Sequence, residues 1–517
     1  MTARNLFRVV PALGALFSTC DALAVEAISK APNVLFIAID DLNDWIGPLG
    51  GHPQVKTPNI DRLARRGIVF TNAHCAAPIC NPSRAAVFSG RHPFETGVLA
   101  NDNQDIRTAQ PDLVLLPQHF KRAGYRTYGT GKLLHQKSTG LFDEEHYPEQ
   151  RWSPFAPPMV EYTAEELPSK ASDDPRHVTT LKGRQVILPL NRMPSDRAPQ
   201  TRGGESFDWG PLEVEDADMG DGHIADWAVR QLHTLPSQPW FLAVGFYRPH
   251  IPLFAPKKYF DLYAGMDIRL PEVRADDLDD LSAAGHTWAT RPDTAGAHAT
   301  VVKYGQWEAA VRGYLACVSF VDAQVGKLLD ALDAGPGAGN TAIILWGDHG
   351  WHLGEKEHWG KWTGWQRATH TPLIIAPAKT DLAEGFKRGV SCVEPVSLLD
   401  VYPTLIELCG LPPRAGLSGQ SLAPLMRNPA AVTGRHVLTT FDKGNYSVTG
   451  KRWHYLHYAD GSEELYDAIN DPHEWVNLAG KPELRSVQQE LAGYLPKTPI
   501  SGNDPPSPSA NRKKKRR

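Results

Sequence analysis

Cysteine is scarce, and the stretch around Cys80 is not spaced to hold a soft metal. The 517 residues contain six, and the stretch APICNPSRAAVFSGRHP (77–93) offers a single thiol, Cys80, where a zinc knuckle would supply a pair. Charge of one sign is not gathered on a large scale either. The formal net charge is −4, and apart from the terminal run NRKKKRR (511–517), read as a solvated tail, nothing marks a nucleic-acid groove. No apolar run is long enough to anchor the chain in a bilayer, since VVPALGALF (9–17) falls short of a span. What is present, 41% hydrophobic and 22% charged residues, excludes a disordered or fibrous chain and predicts one large domain with a smaller one.

The short apolar run has another use. Arg4 and Arg8 precede it and Ala22-Leu23-Ala24 follows, the pattern of an export signal ending at residue 24. Pro11, Gly14 and the polar Ser18-Thr19 argue against a buried helix. The expected location is secreted or periplasmic. Cleavage removes Cys20 and leaves Cys75, Cys80, Cys317, Cys392 and Cys409. An odd number in an exported protein leaves at least one thiol unpaired or modified, and Cys80 is the candidate.

Along the chain, unbroken apolar runs at Asn33–Ile39, Trp240–Phe246 and Thr341–Trp346 predict strands buried on both faces. Helical patterns lie between them. One opens at Thr57-Pro58, with Thr57 as cap, and one covers 305–332. This alternation predicts an α/β fold with a mostly parallel central sheet flanked by helices. Functional groups in such sheets collect beyond the strand C-termini. Three of the ends carry polar clusters: Asp40-Asp41, Arg248-Pro249-His250 and Asp348-His349. Residues 140–215 read as a long insertion over the sheet. From 435 to 499 the pattern predicts a smaller antiparallel sheet, with strands at 436–441, 446–448 and 453–458, plus a helix around 482–495. A disordered tail follows from 500 to 517. The catalytic domain is expected over 25–434.

Cys80 heads an apolar helical segment, and a helix N-terminus favours anions. CNPSRAAVFSGRHP is similar to the signature of the type I sulfatases, in which this cysteine is oxidised to Cα-formylglycine by a maturation enzyme. The similarity runs from PNVLFIAIDDLN (32–43) to LYDAINDPHEWVNLA (465–479). Through GKLLH, RPHIP and GDHGWHLGEKEHWGKWT it points to the iduronate-2-sulfatase branch. The resemblance implies an alkaline-phosphatase/sulfatase-like fold and hydrolysis of sulfate monoesters, on a sulfated sugar such as a glycosaminoglycan-like or algal polysaccharide fragment. One hydroxyl of the aldehyde hydrate would attack sulfur and become sulfated; the other would then expel sulfate.

The resemblance also assigns residues. Asp40, Asp41, Asp348 and His349, with the oxygen at position 80, would bind one divalent cation, Ca²⁺ ahead of Mg²⁺ because most donors are oxygens. Two adjacent acids after a strand could equally be a helix cap if taken alone. His349 stands where most sulfatases have Asn, which follows the iduronate-type pattern and leaves the metal's identity open. Lys132 and His135 would hold the hydrate and take its proton, His250 and Lys361 would grip the sulfate, and Arg84 would steady the formylglycine and the carboxylates. His250 is expected to be the general acid, with Lys361 stabilising charge. His352 and His358 are expected near the pocket, while His74, His92 and His119 are read as structural or exposed. The alternatives are a phosphonate or phosphate ester hydrolase of the same superfamily, and a non-catalytic carbohydrate-binding relative.

Overall fold

The computed structural model describes residues 31–154, 178–181, 184–187, 190–193, 196, 206–379 and 385–497, apart from 103, 237 and 293. The expected leader (1–24), most of the insertion between 155 and 205, and the tail (500–517) lie outside them.

Eight strands form the central sheet: β1 (Asn33–Ile39), β2 (Ile68–Phe70), β3 (Arg126–Gly131), β4 (Glu144–His146), β5 (Trp240–Phe246), β6 (Thr341–Gly347), β7 (Leu373–Ala376) and β8 (Val390–Cys392). Their order is β8-β2-β7-β6-β1-β5-β3-β4. Every neighbour pair is parallel except the two made by β7, which runs against β6 and β2. In β1, Leu35, Ile37 and Ile39 enter one core while Val34, Phe36 and Ala38 enter the other. Both faces are covered, which is why the sequence shows an unbroken apolar run instead of alternation. Helices α1 (Pro58–Arg66), α3 (Gly220–Thr234) and α4 (Trp307–Ala334) pack on the first face; α2 (Cys80–Ser89) and α5 (Val401–Leu408) pack on the second.

Three sequence expectations need correction. Thr57 does not cap α1: its hydroxyl donates to Asp61 Oδ1 instead. The cap comes from α4, where Asp322 Oδ1 accepts from the amides of Asn59 (3.1 Å) and Ile60 (2.7 Å). Such a long-range cap has no local sequence signature. The supposed insertion also begins later than expected, because Glu144–His146 is the sheet's edge strand, paired with β3. Lastly, the C-terminal sheet has four strands, β9 (Val437–Asp442), β10 (Asn445–Thr449), β11 (Trp453–His457) and β12 (Glu463–Asp467), and its helix is α6 (Arg485–Ala492) after a 3₁₀ turn at Pro482–Leu484. One side of this sheet packs Phe441, Leu456, Tyr458 and Tyr466 against Trp288 and Trp365 of the main body. The other packs Val448, Tyr455 and Leu465 on Leu491 of α6.

The parallel register decides where chemistry can occur. Ile39 stands opposite both Gly347 and Phe246, and Gly131 opposite Gly245. The residues just after β1, β3, β5 and β6 therefore share one edge. The last strands approach so closely that a Cβ on Gly245 would lie 2.1 Å from the carbonyl oxygen of Lys132. That contact is available only to glycine.

Candidate active site

Cys80 is the first residue of α2, which is buried along its whole length. Its sulfur lies 2.8 Å from Lys361 Nζ, 3.4 Å from His349 Nε2, 3.7 Å from Lys132 Nζ and 3.9 Å from Asp41 Oδ1. Chain turns beyond the strand ends bring these groups together. Asp41 adopts φ 58, a left-handed conformation that Asp tolerates better than most residues. Its amide donates to Asp348 Oδ1 (3.0 Å), and its carbonyl accepts from the Tyr314 hydroxyl of α4 (2.7 Å). Arg84, one turn into α2, reaches back: Nε donates to Asp348 Oδ2 (2.8 Å), and its terminal nitrogens reach Asp40 Oδ1 (3.3 Å) and the Lys132 carbonyl.

Charge within the cluster is balanced by position. Asp40 pairs with Lys132 and Arg84, Asp348 with Arg84, and Asp41 with Lys361 at 2.5 Å. All six side chains are buried. Burial alone would raise the Asp40 carboxyl, yet Lys132, His250 and Arg84 hold it below the ordinary value. At Asp41 burial prevails over Lys361 and lifts the carboxyl to about 7. Burial would depress the His349 ring, but Asp348 draws it up to about 9.

None of the five cysteines among the described residues forms a disulfide, and all five are buried. An odd count is therefore not what distinguishes Cys80; its surroundings are. Burial raises the thiols of Cys75 and Cys392 and pushes Cys317 up to about 12. Burial acts on Cys80 in the same direction, but Lys132 and Lys361, with hydrogen bonds from His135 and His250, bring it well below the ordinary value.

The donor set fits a metal ion. Asp40, Asp41, Cys80 and His349 present ligand atoms within 4.8 Å of one another, and Asp348 Oδ1 lies 3.5 Å from His349 Nε2. Asp41 Oδ2 is buried without a hydrogen-bond partner among the described residues. His349 Nδ1 faces the Gly350 carbonyl (2.9 Å), which orients Nε2 into the cluster.

The structure gathers every residue the sequence singled out for catalysis. His135 is half-buried beside Cys80. His250 Nε2 sits 3.8 Å from Asp41 Oδ2, while its Nδ1 meets the Ile251 carbonyl at 2.6 Å. His352 and His358 act behind the site. His352 bonds Thr363 (2.9 Å), and the ring nitrogens of His358 face the carbonyls of Ala289 (2.8 Å) and Lys361 (3.2 Å), so both shape the loop that carries Lys361. His74 is buried between Asn72 and Thr369. Several supporting residues went unread in the sequence. The Tyr247 ring lies 5.0 Å from Lys132 Nζ and 4.5 Å from the His250 ring. Trp351 stands 5.4 Å from Lys361 Nζ. Asp221 accepts from the amides of Tyr247 and Arg248, both at 2.8 Å, and so fixes the turn before His250. Tyr247 directly precedes RPHIP and Trp351 lies inside GDHGW, so position was the only signal available.

The mostly parallel sheet carries a buried Asp-Asp-Cys-His cluster beyond the C-terminal ends of its strands, the place where α/β sheets gather function. Comparison with known proteins narrows this. The sulfatase family profile matches residues 32–411, and that of the N-sulphoglucosamine sulphohydrolase C-terminal region matches 354–499. A sulfatase of Formosa agariphila is 37% identical over 498 residues, covering 94% of this chain and 91% of that one. The iduronate 2-sulfatase of Homo sapiens is 33% identical over 441 residues, covering 77% and 74%. The solved structure of a 2-O GAG sulfatase superposes with TM-score 0.65 at 22% identity, over 89% of this chain and 90% of that one. The chain belongs to the type I sulfatase family, on the branch of the iduronate 2-sulfatases, and is a sulfuric ester hydrolase.

Removing Arg84 leaves Asp40 and Asp348 buried with one cation fewer. Arg84→Met, unfolded by urea in the presence of a chelator, should lose about 3–5 kcal/mol of stability. An unchanged midpoint would show that the guanidinium does not hold these carboxylates.

Proposed function

We propose that this chain hydrolyses a sulfate monoester carried on a sugar, using formylglycine made from Cys80. The observation that supports this most strongly is the environment of the Cys80 sulfur, at a helix N-terminus, 2.8 Å from Lys361 and 3.7 Å from Lys132. The similarity to an iduronate 2-sulfatase and to a 2-O GAG sulfatase supports a sulfated sugar. Cys80 is fully buried, so the maturation enzyme would act before the chain folds. The leader at 1–24 would direct it to secretion or the periplasm. The same reading divides the chain into a catalytic domain (25–434) and a C-terminal unit (435–499).

Hydrated, the aldehyde at position 80 supplies two hydroxyls on one carbon, one to attack sulfur and one to release the product. Asp40, Asp41, Asp348 and His349 would hold a divalent cation there, Ca²⁺ ahead of Mg²⁺. Bound in that place, the cation supplies positive charge that lowers the repulsion between an anionic ester and its attacker. Lys132 and Lys361 flank position 80 and stabilise charge on the peripheral sulfuryl oxygens. Arg84 pairs with Asp40 and Asp348, orienting both and working against the upward pull of burial on each carboxyl. His135 takes the hydrate's proton. His250 donates to the departing sugar oxygen, because its Nδ1 is committed to the Ile251 carbonyl and Nε2 faces the cluster. Burial and Lys361 hold this imidazole well below its ordinary value, and an anionic ester beside it acts in the opposite sense.

Three measurements test this. In active enzyme made alongside the maturation system, mass spectrometry of the peptide ending at Arg84 should find an aldehyde at position 80. Finding only the thiol in fully active protein would sink the proposed nucleophile. The same preparation should cleave aryl sulfate far faster than aryl phosphate, which separates a sulfatase from the superfamily's phosphonate and phosphate hydrolases. His250→Ala should reduce kcat/KM on a sugar sulfate much more than on nitrophenyl sulfate, because an aryl oxide leaves with less need of a proton, whereas Lys361→Ala should damage both alike. Equal losses for His250→Ala would transfer the acid's role to Lys361.

A further inference from the structure

An open groove of about 280 Å³ is lined by Lys132, Tyr247 and residues 134–137 and 147–151, next to the carboxylate cluster through the Lys132–Asp40 pair. That is more room than a single sulfate requires. Its lining is unevenly charged. Lys132 is neutralised by Asp40, but Lys137 and Arg151 make no ion pair among the described residues. The carboxylate in the lining, Glu149, is exposed and accepts from the Trp152 amide (3.2 Å). His135 also lines the groove, and its Nδ1 is shielded from solvent without a hydrogen-bond partner.

Arg151 is held in place before any ligand arrives. Its Nε donates to the Tyr247 hydroxyl (2.5 Å), and its carbonyl accepts from Arg248 (3.1 Å). The Tyr247 ring in turn lies against Lys132 Nζ and His250. This chain of contacts runs from Arg151 through Tyr247 to the two groups beside position 80. The terminal guanidinium nitrogens have no other partner among the described residues, and their planar fork suits a carboxylate or a sulfate.

We propose that this groove is a subsite for a second anionic group on the same substrate, a ring carboxylate or a second sulfate, recognised by Arg151 with help from Lys137. The proposal rests on the sulfated-sugar reading and specifies which sulfated sugars are preferred. A half-buried guanidinium with no ion-pair partner among the described residues discriminates for an anion, whereas a neutral ring leaves its terminal donors unpaired.

The test is kcat/KM of the matured enzyme on four substrates: nitrophenyl sulfate, a neutral hexose monosulfate, a hexuronate monosulfate and a hexose disulfate. Wild type should favour at least one of the last two over the neutral sugar, and which one it favours identifies the anion. Arg151→Ala should lower that preference about 10- to 100-fold, the range for a hydrogen bond to a charged group. Lys137→Ala, an exposed change that does not threaten folding, should lower it several-fold. A purely structural role for Arg151 would depress all four rates together and leave the ratio intact, which would overturn the subsite. Equal wild-type turnover of neutral and anionic sugars would overturn it too, with the sulfatase reading untouched. Turnover of nitrophenyl sulfate but of no sugar sulfate would instead refute the carbohydrate reading, and the subsite with it.

Discussion

Three carboxylates, Asp40, Asp41 and Asp348, are withdrawn from water within one shell around Cys80. Burying a single ionised carboxylate without compensation costs several kcal/mol, so the surrounding architecture has to return that charge. Arg84, Lys132 and Lys361 do so from three separate elements: the second turn of α2, the residue after β3 and the loop after the short hairpin at 352–360. The compensation is incomplete at Asp41, with its carboxyl raised to about 7 and one oxygen unpartnered. That shortfall falls where the sulfatase family places a cation. A site built this way is poised for an anionic substrate, because its positive groups are fixed before the ester arrives and need no reorganisation.

The C-terminal sheet contributes to this arrangement although it supplies no residue to the cluster. Lys356 pairs with Asp277 at 2.5 Å and donates to the Glu474 carbonyl. Glu474 also meets His454 of β11 and accepts from the Gln366 amide (2.8 Å). Trp365 donates to Glu464 of β12 (3.0 Å). These buried contacts clamp residues 356–366 against the C-terminal unit, while the Trp362 amide donates to the Pro78 carbonyl (2.8 Å) just before Cys80. Lys361 is thereby held against the chain leading into Cys80. A loop fixed at both ends can keep an ammonium group beside a nucleophile at the precision such chemistry needs.

Much of this was legible in the sequence. Strands buried on both faces announce themselves as unbroken apolar runs, and their polar ends Asp40-Asp41, Asp348-His349 and Arg248-His250 lie where a parallel sheet places function. The motifs around Cys80, Lys132 and Lys361 did the rest. What escaped notice depends on contacts between distant segments. Asp322 caps a helix more than 250 residues away, the reversed strand β7 has the same apolar character as its parallel neighbours, and Glu144–His146 is too short and polar to read as a strand. His352 and His358 share a motif with Lys361, yet only packing shows that they support its loop. Arg151 lies in an irregular stretch whose role depends on Tyr247, a partner 96 residues later.

The central claim is that the buried acids and His349 exist to hold a cation against position 80, and direct binding tests it best. Matured enzyme stripped with a chelator should take up one Ca²⁺ per chain in calorimetry, confirmed by metal analysis. Asp41→Asn, near-isosteric but without the charge, should bind it about 100-fold more weakly or not at all. Unchanged stoichiometry and affinity in that variant would contradict the account.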